Sequence, residues 1–274
     1  MFEIDELTLY RGRDIQITPK IIVIQPTLDQ IERYGEKNYF SAVHTLTAVG
    51  ADFKWQLWDY YNTDYTKIED YDLFISLIVP ALSSKKRILE LWKSDPEQYK
   101  EELSKLDKDD EIAMLRNPLE LILKDIDFAD FIPCKTKNDE IVLFNVEREI
   151  TIDRMIYSQI VDVVRRIHGL KRNNQLPGNE RTKRDLIDDA RDDYMKMQRM
   201  PYRSLLLSLI SALTVKSGMC GDDRIWNMGI CMFFDNIKRA GRIQDAELLL
   251  QGAYSGFASL KGIDKTRLDW TGDL

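Results

Sequence analysis

The segment from Ile225 to Phe257 constrains the fold of this chain most, because its opening stretch, IWNMGICMFF, is apolar at almost every position. A helix that is apolar on nearly all sides must be buried on nearly all sides. The stretch ends in DNIKRAG, where Lys238 and Arg239 precede Gly241, a pattern typical of a helix C-terminus. The segment therefore predicts two successive helices in the core of a helical region, which is scaffold and not a catalytic cleft.

Strand-like segments are confined to two places in the first 150 residues. Apolar and β-branched runs predict three N-terminal strands, at Leu7–Tyr10, Ile15–Ile17 and Ile21–Ile24. A β-hairpin is predicted near 127–145, where FADFIPCKT and EIVLFN flank the turn-prone segment KTKND. These segments make up a small β portion of a chain that is otherwise helical in pattern.

Three helices are predicted between the N-terminal strands and the hairpin. Thr27 is a suitable N-cap for an amphipathic helix that is interrupted near Gly35 and stops at Gly50. An aromatic helix follows over 51–61, and Asp70 begins a further helix that is expected to end near Pro80. Residues 83–116 are highly charged and are expected to form a mobile excursion or an exposed helix.

From Thr151 onward every segment has a helical pattern. The first helix begins at Thr151 and ends at Gly169, the charged helix Glu180–Met197 is expected on the surface, and the leucine-rich stretch Tyr202–Val215 implies deep burial. The fold class predicted is mainly α and α+β overall, with a helical C-terminal half. The composition shift near residue 150 divides the chain into a mixed region, 1–150, and an all-helical region, 151–274.

Composition excludes several classes of protein. The net charge of −7 over 274 residues argues against binding of nucleic acid through the overall electrostatic field of the protein. The basic cluster from Arg165 to Arg184 is followed directly by acidic residues, so a solvated helix surface is expected there. Three cysteines without paired spacing, Cys134, Cys220 and Cys231, suggest a reducing compartment. The N-terminus lacks the apolar core of a signal peptide, and no apolar run approaches the roughly 20 residues of a membrane span. A soluble intracellular protein is expected.

No catalytic, cofactor-binding or metal-ligating set emerges from the residue types and spacings. The strongest candidate is the acidic face of the charged helix, where interleaved arginines favour a solvated surface over a metal site; its carboxylates are Asp185, Asp188, Asp189, Asp192 and Asp193. His44 and His168 have no nucleophile at a recognisable spacing, and polar positions at helix edges are expected for both. The glycine-containing segments match no phosphate-binding loop. The chain is expected not to be an enzyme and to need no cofactor.

Aromatic residues supply the remaining functional candidates. Eleven residues, 51–61, hold five aromatic side chains, and the segment LDW lies near the C-terminus. Such residues are usually core, but those that stay exposed are well suited to protein contacts, because Trp and Tyr bury a large area at small rotamer cost. The candidate protein-binding residues are Phe53, Trp55, Trp58, Tyr61 and Trp270.

Two stretches of the chain resemble proteins of tailed bacteriophages that infect Gram-positive hosts. One runs from Gln25 to Ile78, with QPTLDQIERYGEKNYFSAVHTLTAVGADFKWQLWD at its start. The other begins with TIDRMIYSQIVDVVRRIHGL at Thr151, includes PYRSLLLSLISAL, and continues through RIWNMGICMFFDNIKRAGRIQDAELLLQGAYSGF. The resemblance is to the family of tail assembly chaperones and tail morphogenesis proteins.

This resemblance implies a non-enzymatic role in virion assembly. Such chaperones coat the hydrophobic tape measure protein until tail-tube subunits polymerise around it. The implied partners are the tape measure and tail-tube proteins, with self-association into a homo-oligomer as a further hypothesis, and the implied location is the host cytoplasm during assembly. Two alternatives stay open: a structural tail or connector component that remains in the virion, and an enzyme with a metal site on the acidic helix.

Overall fold

The computed structural model describes residues 4–104, 117–219, 223–256 and 264–272, and these form ten α-helices and two small antiparallel sheets. The mainly α, α+β fold class is therefore confirmed. The elements in the first half are α1 Glu6–Tyr10, β1 Ile15–Thr18, β2 Ile21–Val23, α2 Leu28–Tyr34, α3 Glu36–Thr47, α4 Lys54–Tyr61, α5 Asp70–Ser94, α6 Pro96–Ser104, β3 Phe131–Lys135 and β4 Ile141–Asn145. Those that follow are β5 Ile150–Ile152, α7 Arg154–His168, α8 Glu180–Gln198, α9 Leu205–Ser217 and α10 Ile230–Tyr254.

The N-terminal β portion is a two-stranded sheet in which Ile15 pairs with Val23. The strand predicted at Leu7–Tyr10 is wrong, because these residues lie in the helix α1. The Asp5 side chain caps that helix by accepting a hydrogen bond from the Thr8 N–H, a local contact that favours a helical turn over an extended chain. Only Leu9 of α1 is buried.

The predicted hairpin is confirmed. β3 and β4 pair from Phe131 with Asn145 to Lys135 with Ile141, and β5 adds a third antiparallel strand on the far side of β4. Because Ile152 belongs to β5, the helix predicted from Thr151 begins later, at Arg154, with Asp153 as its N-cap. Gly169 ends α7 in the left-handed conformation, as expected.

Two predicted helix ends are wrong, and both helices continue through the residue expected to stop them. α5 passes Pro80 and reaches Ser94, and the Ser76 hydroxyl, one turn before the proline, donates to the Asp72 carbonyl at 2.7 Å. α10 passes Gly241 and reaches Tyr254, because its apolar pattern resumes beyond the glycine and one helical glycine costs only about 1 kcal/mol.

The two successive helices predicted from Ile225 to Phe257 are therefore one long helix, Ile230–Tyr254, preceded by a turn. Residues 225–229 lie outside α10, Trp226 is exposed, and Gly229 is the N-cap. Phe257 lies outside the described residues. The charged region 83–116 is helical as far as Ser104, with residues 93–98 exposed, and residues 105–116 lie outside the described part.

α7 occupies the centre of the molecule. Its buried side chains enter a hydrophobic core with residues of both sheets and of α3, α5 and α10; they are Tyr157, Ile160, Val161, Val163, Val164 and Ile167. This core contains residues from both sides of residue 150. A second, smaller cluster joins α4 to α8 through Trp55, Leu57 and Ile187.

α9 departs most from expectation. Deep burial was predicted for its leucines, yet in this helix only Leu206 and Leu213 are buried. α8 is a surface helix, as predicted, with Lys183 and Ile187 as its buried residues.

Candidate protein-binding groove

α3 forms one wall of an apolar groove and is fixed to the central helix α7 by three polar contacts. The Tyr157 hydroxyl donates to the Leu46 carbonyl at 2.9 Å, and the Arg165 guanidinium donates to the Thr47 carbonyl at 2.6 Å. These two bonds satisfy carbonyls at the C-terminal end of α3, which have no partner within the helix. The third contact joins Tyr39 to His168 at 2.7 Å.

The Tyr39–His168 pair is buried, so His168 does not occupy the helix edge that its sequence context suggested. His168 Nδ1 lies 2.7 Å from the Val164 carbonyl, which can only accept, so Nδ1 carries the proton and Nε2 accepts from the Tyr39 hydroxyl. Burial lowers the pKa of His168 to about 4 and raises the pKa of Tyr39. Both groups are neutral near pH 7 and serve to hold α3 in place.

α4, the second wall, is held by the charged helix α8. Arg191 donates to both carboxylate oxygens of Asp59 at 2.8 Å, and Trp55 packs against Tyr194 with ring centroids 4.9 Å apart. About two turns earlier on α8, Lys183 donates to Asp64 at 2.6 Å. Burial alone would raise the pKa of Asp64, but hydrogen bonds from Lys183 and Thr66 outweigh it and lower the pKa to about 2.

The carboxylates on the acidic face of α8 are exposed, and two of them accept from basic residues of the same helix. Asp188 accepts from Arg191 at 2.6 Å, and Asp193 accepts from Lys196 at 3.1 Å. In the described part of the chain, no three His, Cys, Asp or Glu side chains are grouped so that they could hold a metal ion.

The groove consists of two adjoining hollows between α3, α4 and α5. The larger, about 340 Å³, lies between α3 and α5, and Leu46, Phe74 and Ile78 line it together with Pro118 and Leu119. The smaller, about 210 Å³, lies between α4 and α5 and is lined by Leu57, Ile68 and Leu73. Phe53 and Leu77 line both hollows, so the two adjoin along these side chains.

The base of the larger hollow is rigid because Phe74 belongs to an aromatic cluster. Its ring stacks on Tyr157 at 4.6 Å and meets Phe128 edge-on at 5.8 Å. The Tyr71 hydroxyl donates to the Ile152 carbonyl at 2.8 Å and so ties α5 to β5. The groove is therefore preformed, which lowers the entropic cost of binding.

One polar atom inside the groove has no partner. The side-chain oxygen of Gln56, which lines the smaller hollow, is buried and accepts no hydrogen bond from the described residues. Exposed Tyr60 and Tyr61 form the rim beside it. The apolar lining suits an apolar occupant, and an N–H or O–H donor on that occupant reaches the shielded Gln56 oxygen only if the Gln56 side chain turns toward the hollow.

The five predicted protein-binding residues do not form one patch. Phe53 and Tyr61 line the groove, whereas Trp55 is buried against α8 and Trp58 is exposed on α4. Trp270 is exposed in the C-terminal segment, where its carbonyl accepts from Arg239 of α10. The sequence pattern missed Gln56, Leu77 and the α3 wall, because helical spacing alone does not show which faces of separate helices lie side by side.

Other candidates for chemistry have structural roles. A hollow of about 710 Å³ beside α7 contains arginines that already have partners, since Arg154 donates to Glu69 and Asp72 and Arg165 to the Thr47 carbonyl. Cys134 and Cys231 are free thiols, and burial raises the pKa of Cys231; Cys220 lies outside the described residues.

No protein-family model, curated protein or solved structure was found that matches this chain. In the described part of the chain, none of the helices combines the length and the apolar character that crossing a bilayer requires.

Proposed function

We propose that this protein is a non-enzymatic assembly factor of a bacteriophage tail, which binds an apolar helical segment of the tape measure protein in the groove between α3, α4 and α5. The observation that carries the proposal is the preformed apolar groove with its unpartnered Gln56 oxygen. The resemblance of the two long sequence stretches to tail assembly proteins supplies the biological setting.

The shape of the groove favours a helix as the bound segment. Helix-in-groove recognition uses apolar anchors at i, i+3 or i+4 and i+7 along one face of the bound helix. Two hollows that meet at Phe53 and Leu77 can accept two successive anchors. A donor near the second anchor would satisfy Gln56, and the phenol rims of Tyr60 and Tyr61 would cover it.

The experiment is co-expression with the tape measure protein of the same phage, followed by pull-down and a solubility assay. Ser41→Arg places a charged side chain in the larger hollow from an exposed position and leaves the core intact. We expect it to lower binding at least ten-fold. Ser158→Arg, at an exposed position of α7, is the matched control and should bind normally.

Two results would contradict the proposal. One is failure of the wild-type protein to bind or solubilise the tape measure protein. The other is detection of the protein in purified virions at the copy number of a tail or connector subunit, which would favour the structural alternative. Equal binding by the Ser41→Arg and Ser158→Arg variants would show that the binding site lies outside the groove.

A further inference from the structure

α9 exposes an uncharged face to the surroundings of the protein. Its sequence, LLLSLISALTVKS, contains one charged residue, Lys216. That ammonium group donates to the Ala240 carbonyl at 2.8 Å and lies 3.1 Å from the Gln244 side-chain oxygen, so it is directed at α10. The face of α9 that points away from the protein therefore carries no charge.

The outward face is apolar and lies opposite the buried one. Leu206 and Leu213 pack into the main core, and the Leu206 N–H donates to Glu36 of α3 at 2.8 Å. At about 100° per residue, the positions opposite these leucines fall within one arc of about 100°; they are Ser204, Leu207, Ser208, Ser211, Val215 and Gly218. Leu207 is 69% exposed and Val215 is 68% exposed, far more than an aliphatic residue in a helix of this composition is expected to be.

The order of side chains on this face is symmetric about Ser211. Four residues away on either side are the large Leu207 and Val215, and seven residues away are the small Ser204 and Gly218. If a second α9 packs antiparallel about a two-fold axis through Ser211, Leu207 of each copy lies against Val215 of the other. The small residues then face one another and let the helices approach closely, while the two helix dipoles oppose favourably.

We propose that α9 is the contact helix of a symmetric antiparallel homodimer of this chain. An uncharged face suits a second copy, because two chains of net charge −7 meet there without placing like charges in contact. A C2 interface also requires a self-complementary surface, and the symmetry about Ser211 supplies it. One helix of about 20 Å buries less area than a standard interface, so we expect a weak dimer that depends on concentration. The groove lies on other helices and stays available.

The test is sedimentation velocity of the full chain between about 1 and 100 µM. Wild type is expected to change from monomer to dimer over this range. Ser211→Arg and Ser211→Glu should each be monomeric, because the substituted residue meets its own copy at the axis and like charges repel. An equimolar mixture of the two variants should dimerise again, since opposite charges now face each other.

The controls distinguish loss of the dimer contact from loss of the fold. Ser158→Arg and Ser158→Glu on α7 should dimerise as wild type does, and unchanged thermal unfolding of the Ser211 variants would show that their fold is intact. If a Ser211 variant unfolds, Leu207→Ser, which removes an exposed anchor, should raise the dimer dissociation constant at least ten-fold. A wild type that stays monomeric at 100 µM, a dimeric Ser211→Arg variant, or a mixture that stays monomeric would each overturn the proposal.

Discussion

Arg191 of α8 donates to both carboxylate oxygens of Asp59 of α4 at 2.8 Å, and this fork orients the helix that carries one wall of the groove. Bidentate geometry needs the planar guanidinium, which lysine cannot replace. We therefore predict that Arg191→Lys loosens α4 and weakens partner binding, while the central core is retained.

The measurement is hydrogen exchange of the α4 amides together with the pull-down. Arg191→Lys should increase exchange in residues 54–61 and leave exchange in α7 unchanged. Lys196→Ala, which removes an exposed ion pair with Asp193 on the same helix, is the control and should change neither. Equal exchange in all three proteins would show that the fork does not restrain α4.

Because His168 is buried and neutral, the folded protein should lose stability in mild acid. The folded pKa of His168, about 4, lies below the ordinary value of 6.5, so below pH 6.5 the unfolded chain binds a proton that the folded chain excludes. The contribution of neutral His168 to the free energy of unfolding is complete above pH 6.5 and is lost as the pH falls to about 4. The free energy of unfolding decreases by up to about 1.4 kcal/mol per pH unit over this range, and by about 3 kcal/mol in all. Urea unfolding at several pH values measures it.

His168→Gln should flatten the pH dependence between 4 and 6.5, whereas His44→Gln, at an exposed position, should preserve it. An unchanged slope in His168→Gln would assign the acid sensitivity to other groups.

Two glycines predict opposite effects of the same substitution. A Cβ at Gly50 would lie 2.2 Å from the Tyr65 carbonyl oxygen, a backbone atom that cannot move cheaply, so Gly50→Ala should destabilise by about 2 kcal/mol or more. At Gly241, within α10, a Cβ would meet open space, so Gly241→Ala should stabilise by about 0.5–1 kcal/mol. Thermal or urea unfolding measures both changes in stability. A Gly50→Ala variant as stable as wild type would contradict the close approach of Gly50 to the Tyr65 carbonyl.

Replacement of Gln56 by an apolar residue should raise the stability of the protein and weaken partner binding. The buried oxygen of Gln56 has no hydrogen-bond partner among the described residues, so Gln56→Leu should raise the free energy of unfolding by about 1 kcal/mol. The same change should weaken tape measure binding, because the partner's donor loses its acceptor. Gln175→Leu, which removes a surface hydrogen bond to Lys54, is the control and should leave binding unchanged. A variant that is both more stable and binds equally well would show that the oxygen is not used.

The fold class was predictable because local signals agree with the final structure. The Thr27 capping box, the break at Gly35 and the turn between β3 and β4 are all encoded within a few residues. The expected ends at Pro80 and Gly241 were wrong, because neither residue stops its helix. In α10, buried Phe233 and Ala246 lie on either side of Gly241, and their packing outweighs the local cost of the glycine. The deep burial predicted for the leucines of α9 was wrong, because leucine content alone does not show which face of a helix the rest of the chain covers.

The candidate site was predictable only in part. Aromatic content singled out the α4 region, and Phe53 and Tyr61 do line the groove. Its other wall depends on contacts such as Tyr39 with His168, which are 129 positions apart. No local pattern encodes such a pair, so the sequence could not show that α3 packs on α7 and forms a wall of the groove.

The central position of α7 has a consequence for synthesis of the protein. α7 is the element against which α3, both sheets and α10 bury their apolar sides, yet it follows most of them in the chain. A ribosome must therefore pass residue 168 before the first half of the chain can reach its final packing. Until then the apolar residues of the N-terminal half lack their main partner, and long-range contacts of this kind slow folding. We expect folding to occur in a single late step and not to proceed progressively from the N-terminus.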